Sequence, residues 1–211
     1  MPKNEKREYR SIPVMAVQRA EGGDGPSYRV RGYASTFEEP YILYEDFDDE
    51  QIYEVIDRHA FDGADMGDVI MQYDHVGMVL ARTRNGSLTI TIDEHGLLIE
   101  ADLSLTQDSR RMWEAIAAGL VDRMSFCFVI EEEQYDKATH TSRIMKIKKV
   151  YDVSAVSIPA NPGTEISAAR KRFLDGVIRE ERTERSAAEA RAKKIRILRL
   201  KAKAARAQRG A

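Results

Sequence analysis

The sequence predicts an α+β protein, mainly β: an antiparallel barrel or sandwich with one or two helices packed on it. Three observations carry that expectation. Apolar runs of strand length outnumber helical patterns between residues 28 and 160. Turn signals separate those runs, at Asn85-Gly86, His95-Gly96 and the Pro159–Pro162 cluster. Past Thr164 the character changes, to a stretch without proline that is rich in Ala, Arg, Lys and Glu. Many short strands followed by a helical appendage fit a closed or sandwiched β architecture with a tail.

The elements follow in order. Residues 1–27 start polar, carry the apolar patch IPVMAV and reach the loop-forming EGGDGPS. An edge strand fits Ile12–Gln18, and the segment as a whole reads as partly flexible. YRVRGYAST, residues 28–36, alternates as a half-buried strand does. Residues 37–58 are acidic and read as a solvated loop followed by a strand near Ile52–Ile56. The alternative for this stretch is an acidic groove that receives basic substrate segments. His59-Ala60-Phe61 opens a short helical or turn segment that ends around Gly63–Gly67.

VIMQYDH, residues 69–75, reads as a strand that delivers His75 at its end. In VLARTRNGSLTITID the Asn85-Gly86 pair signals a hairpin between two alternating runs. LLIEADLSL is the next strand. TQDS then caps a helix over Ser109–Ala118, with Asp108 or Ser109 as N-cap and Gly119 as its stop. From Met124 the segment MSFCFVI is nearly all apolar, as in a buried strand. EEEQYDKATHTSR reads as a charged turn, and IMKIKKVYDVSAVSIP as one long strand or two short ones. Residues 165–209 form a long helix, or a segment helical only when bound. Phe173, Val177, Ile195 and Leu198 are too sparse there for a sustained heptad seam.

Bulk properties narrow the function. The chain has 211 residues and one cysteine, Cys127, which excludes an internal disulfide framework and fits a reducing compartment. No apolar run approaches the ~20 residues that span a bilayer. MPKNEKREYR has no apolar run after it, so no secretory signal is expected. The net charge of −2 hides an asymmetry: residues 165–211 hold 15 Lys and Arg against 6 Asp and Glu. The acidic body and basic tail should attract one another, or the tail should seek an acidic partner or nucleic acid.

Candidate chemistry centres on Ser125. A hydroxyl among large apolar side chains needs a partner, or its burial costs roughly 1–3 kcal/mol. It is either quietly hydrogen-bonded or held beside a base. Serine attacks a carbonyl only if a base takes its proton, and histidine is the side chain that titrates near neutral pH. His75, at a strand end beside Gly77, is the candidate base. His59, His95 and His140 read as structural or surface residues. A histidine base needs a carboxylate behind it to fix its tautomer. Asp152, in the apolar strand VYDVSAVSI, is the first choice, and Glu131, Glu132 and Glu133 are its rivals. Cys127 lies two residues from Ser125 on the same strand face and is the alternative nucleophile. No histidine spacing suggests a metal site, and no glycine-rich phosphate cradle occurs.

The segments RGYASTF, EVIDRHAF, YDHVGMVLARTRN, DEHGLLIEADL, MSFCFVI and VYDVSAVSIPANPGTE, in this order over residues 28–165, carry a resemblance. The chain resembles the prohead proteases of tailed bacteriophages, of the HK97 type, which are related in fold to herpesvirus assembly proteases. The resemblance implies an antiparallel β-barrel of that type over residues 28–165, and a catalytic set of His75, Ser125 and Asp152. The family usually has Ser-Ile-Gly-Phe where this chain has Ser125-Phe126-Cys127-Phe128, and often Glu where it has Asp152. Herpesvirus relatives use a second histidine in the third role. Oxyanion donors are expected at the backbone of Ala160 and Asn161. A serine endopeptidase of capsid maturation is implied, acting in the host cytoplasm inside the assembling procapsid. It cuts scaffold or the N-terminal extension of the capsid protein, and itself. The basic tail, residues 166–211, would target the enzyme into the shell and be removed by self-cleavage. A homodimer is possible by the same resemblance; no cofactor, metal or membrane is expected, and the acidic body argues against nucleic acid. The alternative is a non-catalytic capsid assembly or scaffolding protein on the same fold.

Overall fold

The computed structural model describes residues 7–12, 27–46, 48–157 and 168–209. The chain divides into two compact units, residues 1–167 and 168–211. In the first unit the described strands are β1 (Glu8–Ile12), β2 (Arg29–Thr36), β3 (Tyr41–Glu45), β4 (Gln51–Ile56), β5 (Ile70–Tyr73) and β6 (Val76–Arg82). They continue with β7 (Leu88–Ile92), β8 (Gly96–Asp102), helix α1 (Gln107–Ala117), β9 (Arg123–Asp136) and β10 (Thr141–Val156).

The fold is mainly β with helices. Its strands form two sheets, and these do not close into a barrel among the described residues. The larger sheet runs β1-β9-β10-β4-β3, with β5 also on β10 and β6 on β5. The smaller runs β2-β8-β7. β10 pairs parallel with β4 at one end and with β5 at the other, so the larger sheet is mixed rather than antiparallel. Both sheets turn one face to a common core, which includes Val30, Ala34, Leu97, Ile99, Met71, Phe126, Phe128, Ile147 and Val153. Phe61 sits between Phe37 and Phe126, with ring centroids at 5.8 and 6.0 Å. Phe61→Ala empties a site that is only 2% exposed. It should cost about 3–5 kcal/mol, read as a lower denaturant midpoint at unchanged slope.

Several elements differ from expectation for identifiable reasons. The strands are not all short: β9 has 14 residues and β10 has 16. EEEQYD is therefore strand, and the turn is confined to the residues before Thr141. Cross-strand pairs hold the charged half in extended form, such as Lys146–Glu131 at 3.2 Å and Ser142–Glu133 at 2.9 Å. Asn85-Gly86 is not a hairpin, because β6 and β7 belong to different sheets. Instead Thr83–Asn85 makes one 3₁₀ turn that Gly86 closes at φ 77°, where a side chain would be strained. Thr106, not Asp108 or Ser109, caps α1; its hydroxyl accepts from the Ser109 N–H at 3.1 Å. Gly119 ends the helix region as expected, at φ 72°. The first strand lies at Glu8–Ile12, and the rest of the expected Ile12–Gln18 strand falls outside the described residues.

The second unit is one helix, α2 (Ala168–Arg209), 42 residues long. Freedom from proline and a high content of Ala, Arg, Lys and Glu account for its length. Lys171 and Asp175 pair one turn apart at 3.1 Å. Ile195, Ile197, Leu198 and Leu200 are exposed. No helix among the described residues is long and apolar enough to cross a membrane.

Candidate active site

Three elements of the first unit converge on one point. β9 carries Ser125, β10 carries Asp152, and the turn between β5 and β6 carries His75. The sheet alternation of β9 sends Met124, Phe126 and Phe128 into the core and leaves Ser125 and Cys127 on the opposite face.

Asp152 reaches that second face because of a bulge. β10 pairs Val150 with Phe128 and then Asp152 with Cys127, so Tyr151 is an extra residue with no partner of its own. Strict alternation would put residues 150 and 152 on the same face. The extra residue reverses the parity: Val150 stays in the core, and Asp152 and Ser154 turn toward Cys127 and Ser125.

His75 is presented by a two-residue turn. Tyr73 pairs with Val76, and the residues between them, Asp74 and His75, both have positive φ, 48° and 60°. That is the backbone of a tight hairpin whose twist matches the strands, and aspartate tolerates it. A histidine at such φ is uncommon and stays there only if its surroundings hold it. Asp74 supplies the hold. Its N–H donates to Ala155 O at 3.0 Å, and its carboxylate accepts from Ser157 N–H and Ser157 Oγ, both at 3.1 Å.

The resulting geometry is a line of short contacts. His75 Nδ1 lies 2.5 Å from Asp152 Oδ1, and His75 Nε2 lies 2.7 Å from Ser125 Oγ. The Ser154 hydroxyl donates to the same Asp152 oxygen at 2.8 Å, fixing the carboxylate from behind. Nδ1–H donating to the carboxylate leaves Nε2 free to accept the serine proton. An imidazolium formed on His75 would face that carboxylate. Ser125 is 1% exposed and the His75 side chain 12% exposed, so little water separates the charges. The backbone carbonyl of Arg10 on β1 is a second acceptor for the one Ser125 hydroxyl proton, at 2.8 Å. The Tyr9 ring stands edge-on to the imidazole, with centroids 4.8 Å apart.

The remaining candidates are elsewhere. Cys127 lies on the same face but is buried. Burial first, and then the neighbouring Asp152 charge, push its thiol up to about 12. A raised value means the neutral thiol persists until the pH nears that figure, so at pH 8 its thiolate fraction is roughly a thousandfold below that of an ordinary cysteine. Iodoacetamide should accordingly leave Cys127 of the folded chain unmodified at pH 8 and label it after denaturation. Labelling of the folded chain at the rate of a free thiol would contradict this. Glu131, Glu132 and Glu133 belong to the distal half of β9, paired with the Ile144–Ile147 stretch of β10 and well along the ladder from Cys127. His59 bonds Asp62 at 3.0 Å, His95 packs edge-on to Tyr33, and His140 bonds Tyr135 OH at 3.1 Å. No cluster of metal-ligating side chains occurs among the described residues. Ala160 and Asn161, expected as oxyanion donors, lie outside the described residues.

Ser154, Tyr9 and Arg10 carry no local signal in the sequence, whereas Asp74 does, since Asp in a tight turn between apolar runs is a recognised pattern. A model of the caudovirus prohead serine protease family matches residues 14–176. No curated protein and no solved structure matches the chain.

Proposed function

The chain belongs to the caudovirus prohead serine protease family, and we propose that Ser125, His75 and Asp152 are its catalytic nucleophile, base and orienting carboxylate. A serine peptidase of phage capsid maturation, acting inside the procapsid on capsid components, is what the family does. The observation that carries the residue assignment is the unbroken line from Asp152 Oδ1 through His75 to Ser125 Oγ, with contacts of 2.5 and 2.7 Å.

On this reading Ser125 Oγ attacks the scissile carbonyl carbon as its proton passes to His75 Nε2. Asp152 stabilises the imidazolium, which then protonates the leaving amine. Water enters, and the same base activates it to release the acyl group. Backbone N–H groups near Ala160 and Asn161 stabilise the oxyanion, a contribution of roughly 3 kcal/mol per donor in comparable sites.

The substrates on this proposal are scaffold or the N-terminal extension of the capsid protein, and the enzyme itself. The protease domain is residues 28–165, and the basic tail, residues 166–211, docks on acidic partners and is later cut away. The charge contrast between tail and body supports this part. A barrel related to the herpesvirus assembly proteases, and a homodimer, belong to the same proposal. Support for the barrel is that both sheets pack on one shared core.

Co-expression with the cognate capsid protein, followed by intact-mass measurement of every product, tests the proposal. Capsid protein should lose a discrete segment and the protease a C-terminal one. Unchanged masses for both would overturn the reading.

A further inference from the structure

Ser125 is covered by its own chain. At 1% exposure it cannot meet a peptide unless something moves, and β1 is what lies over it. β1 is the edge strand of the larger sheet, paired antiparallel with β9 so that Ser11 stands opposite Ser125 and Arg10 opposite Phe126. It precedes the first residue of the family match, 14. Without it, β9 would be a bare edge to which an extended peptide could add.

The contacts of β1 are those a bound substrate would make. The Arg10 carbonyl oxygen sits 2.8 Å from Ser125 Oγ. The preceding side chain, Tyr9, packs on the imidazole of His75. Arg10 itself points to the other face of β9 and is clamped there. Its Nε donates to Glu54 Oε1 at 2.5 Å and its second guanidinium nitrogen to Glu54 Oε2 at 3.1 Å. Glu8 Oε2 accepts from the same nitrogen at 3.2 Å, Tyr41 OH bonds Glu54, and the guanidinium lies 5.6 Å from the Phe128 ring centroid. Glu54 is completely buried, so its carboxylate demands a cation. Two-point binding to one carboxylate fits the planar fork of arginine better than the ammonium of lysine.

We infer that β1 is a built-in occupant of the substrate groove, and that Glu54 selects peptides with arginine immediately before the bond cut. This deepens the protease reading above and rests on it. In the occupied state the single Ser125 proton has two acceptors in reach, Arg10 O and His75 Nε2, which diverts it from the base. A substrate strand in the same place puts its arginine on Glu54. Ser125 Oγ bonds to that arginine's carbonyl carbon and yields its proton to His75. The C–N bond to the next residue breaks, the leaving amine takes the proton, and water frees the arginine carboxylate.

The test incubates the full wild-type chain with its cognate capsid protein. The probes are the synthetic peptide EKREYRSIPVMA, the sequence of residues 5–16, and its Arg10→Gln counterpart. The expected result is one cut, between the residues corresponding to Arg10 and Ser11, with kcat/KM at least about 100-fold lower for the Gln peptide. That scale follows from depriving a buried carboxylate of its cation. Capsid protein processed while the peptide stays whole, is cut elsewhere, or is cut equally with Gln overturns the inference and leaves the protease reading standing. Capsid protein left unprocessed overturns both. Because the discriminating change is in the peptide, no variant enzyme has to fold.

Discussion

Ser125→Ala is expected to abolish processing, lowering kcat by on the order of 10⁶ if the hydroxyl is the nucleophile. The fold should survive. The change removes one hydroxyl bonded to His75 and to the Arg10 carbonyl, a loss of about 1–2 kcal/mol in stability. Thermal unfolding of the variant therefore separates lost chemistry from lost structure. Retained processing in a folded Ser125→Ala chain would exclude this serine.

The second large effect is at Asp152. Asparagine fits the same space, but its amide can donate to Nδ1 and so stabilise the tautomer that carries its proton on Nε2. That tautomer cannot accept from Ser125. Asp152→Asn should lower kcat by roughly 10⁴, with the site otherwise intact, whereas Glu131→Gln, on the distal half of β9, should change it less than about twofold. Ser154→Ala, which removes only the second bond to the carboxylate, should cost much less than Asp152→Asn. A loss below about tenfold for Asp152→Asn would show that another group orients His75.

That Ser125, His75 and Asp152 come together was legible in the sequence for a particular reason. Ser125 and Asp152 are polar residues in runs that are otherwise apolar, and such residues stand out because burial is costly without a partner. His75 stood out because an apolar strand leads toward it, although β5 ends at Tyr73 and His75 sits in the turn that follows. What brings Asp152 to the correct face was not legible. The bulge at Tyr151 is a register event between two long strands, and no local residue preference marks it. The charged half of β9 was misread for a related reason: EEEQYD is solvated in either conformation, and only its partner strand makes it a strand. β1 begins at Glu8, ahead of the edge strand expected at Ile12–Gln18. Its anchor is the Arg10–Glu54 pair, 44 residues apart in sequence, and in the sequence each of the two is one charge among many. The acidic character of residues 37–58 did raise the idea of a groove for basic segments; Glu38 and Asp57 of that stretch bind Arg143, and the fully buried Glu54 binds Arg10.

The mixed pairing of β10 was also beyond sequence reading. Its two ends pair parallel with β4 and β5, strands separated from it by most of the domain. A strand pattern gives a face but not a neighbour. Helix α1 was easier, since its polar start and glycine stop are local signals, although the cap falls on Thr106 rather than on Asp108 or Ser109.

The proton line ending on Ser125 is tested most directly by covalent capture. A fluorophosphonate reacts with a serine hydroxyl only when a base has activated it. Applied to a preparation that processes capsid protein and followed by peptide mass mapping, it should leave a single adduct, on Ser125, that is lost in a folded His75→Ala chain. An adduct on another residue, or none on Ser125 while processing continues, would contradict the account.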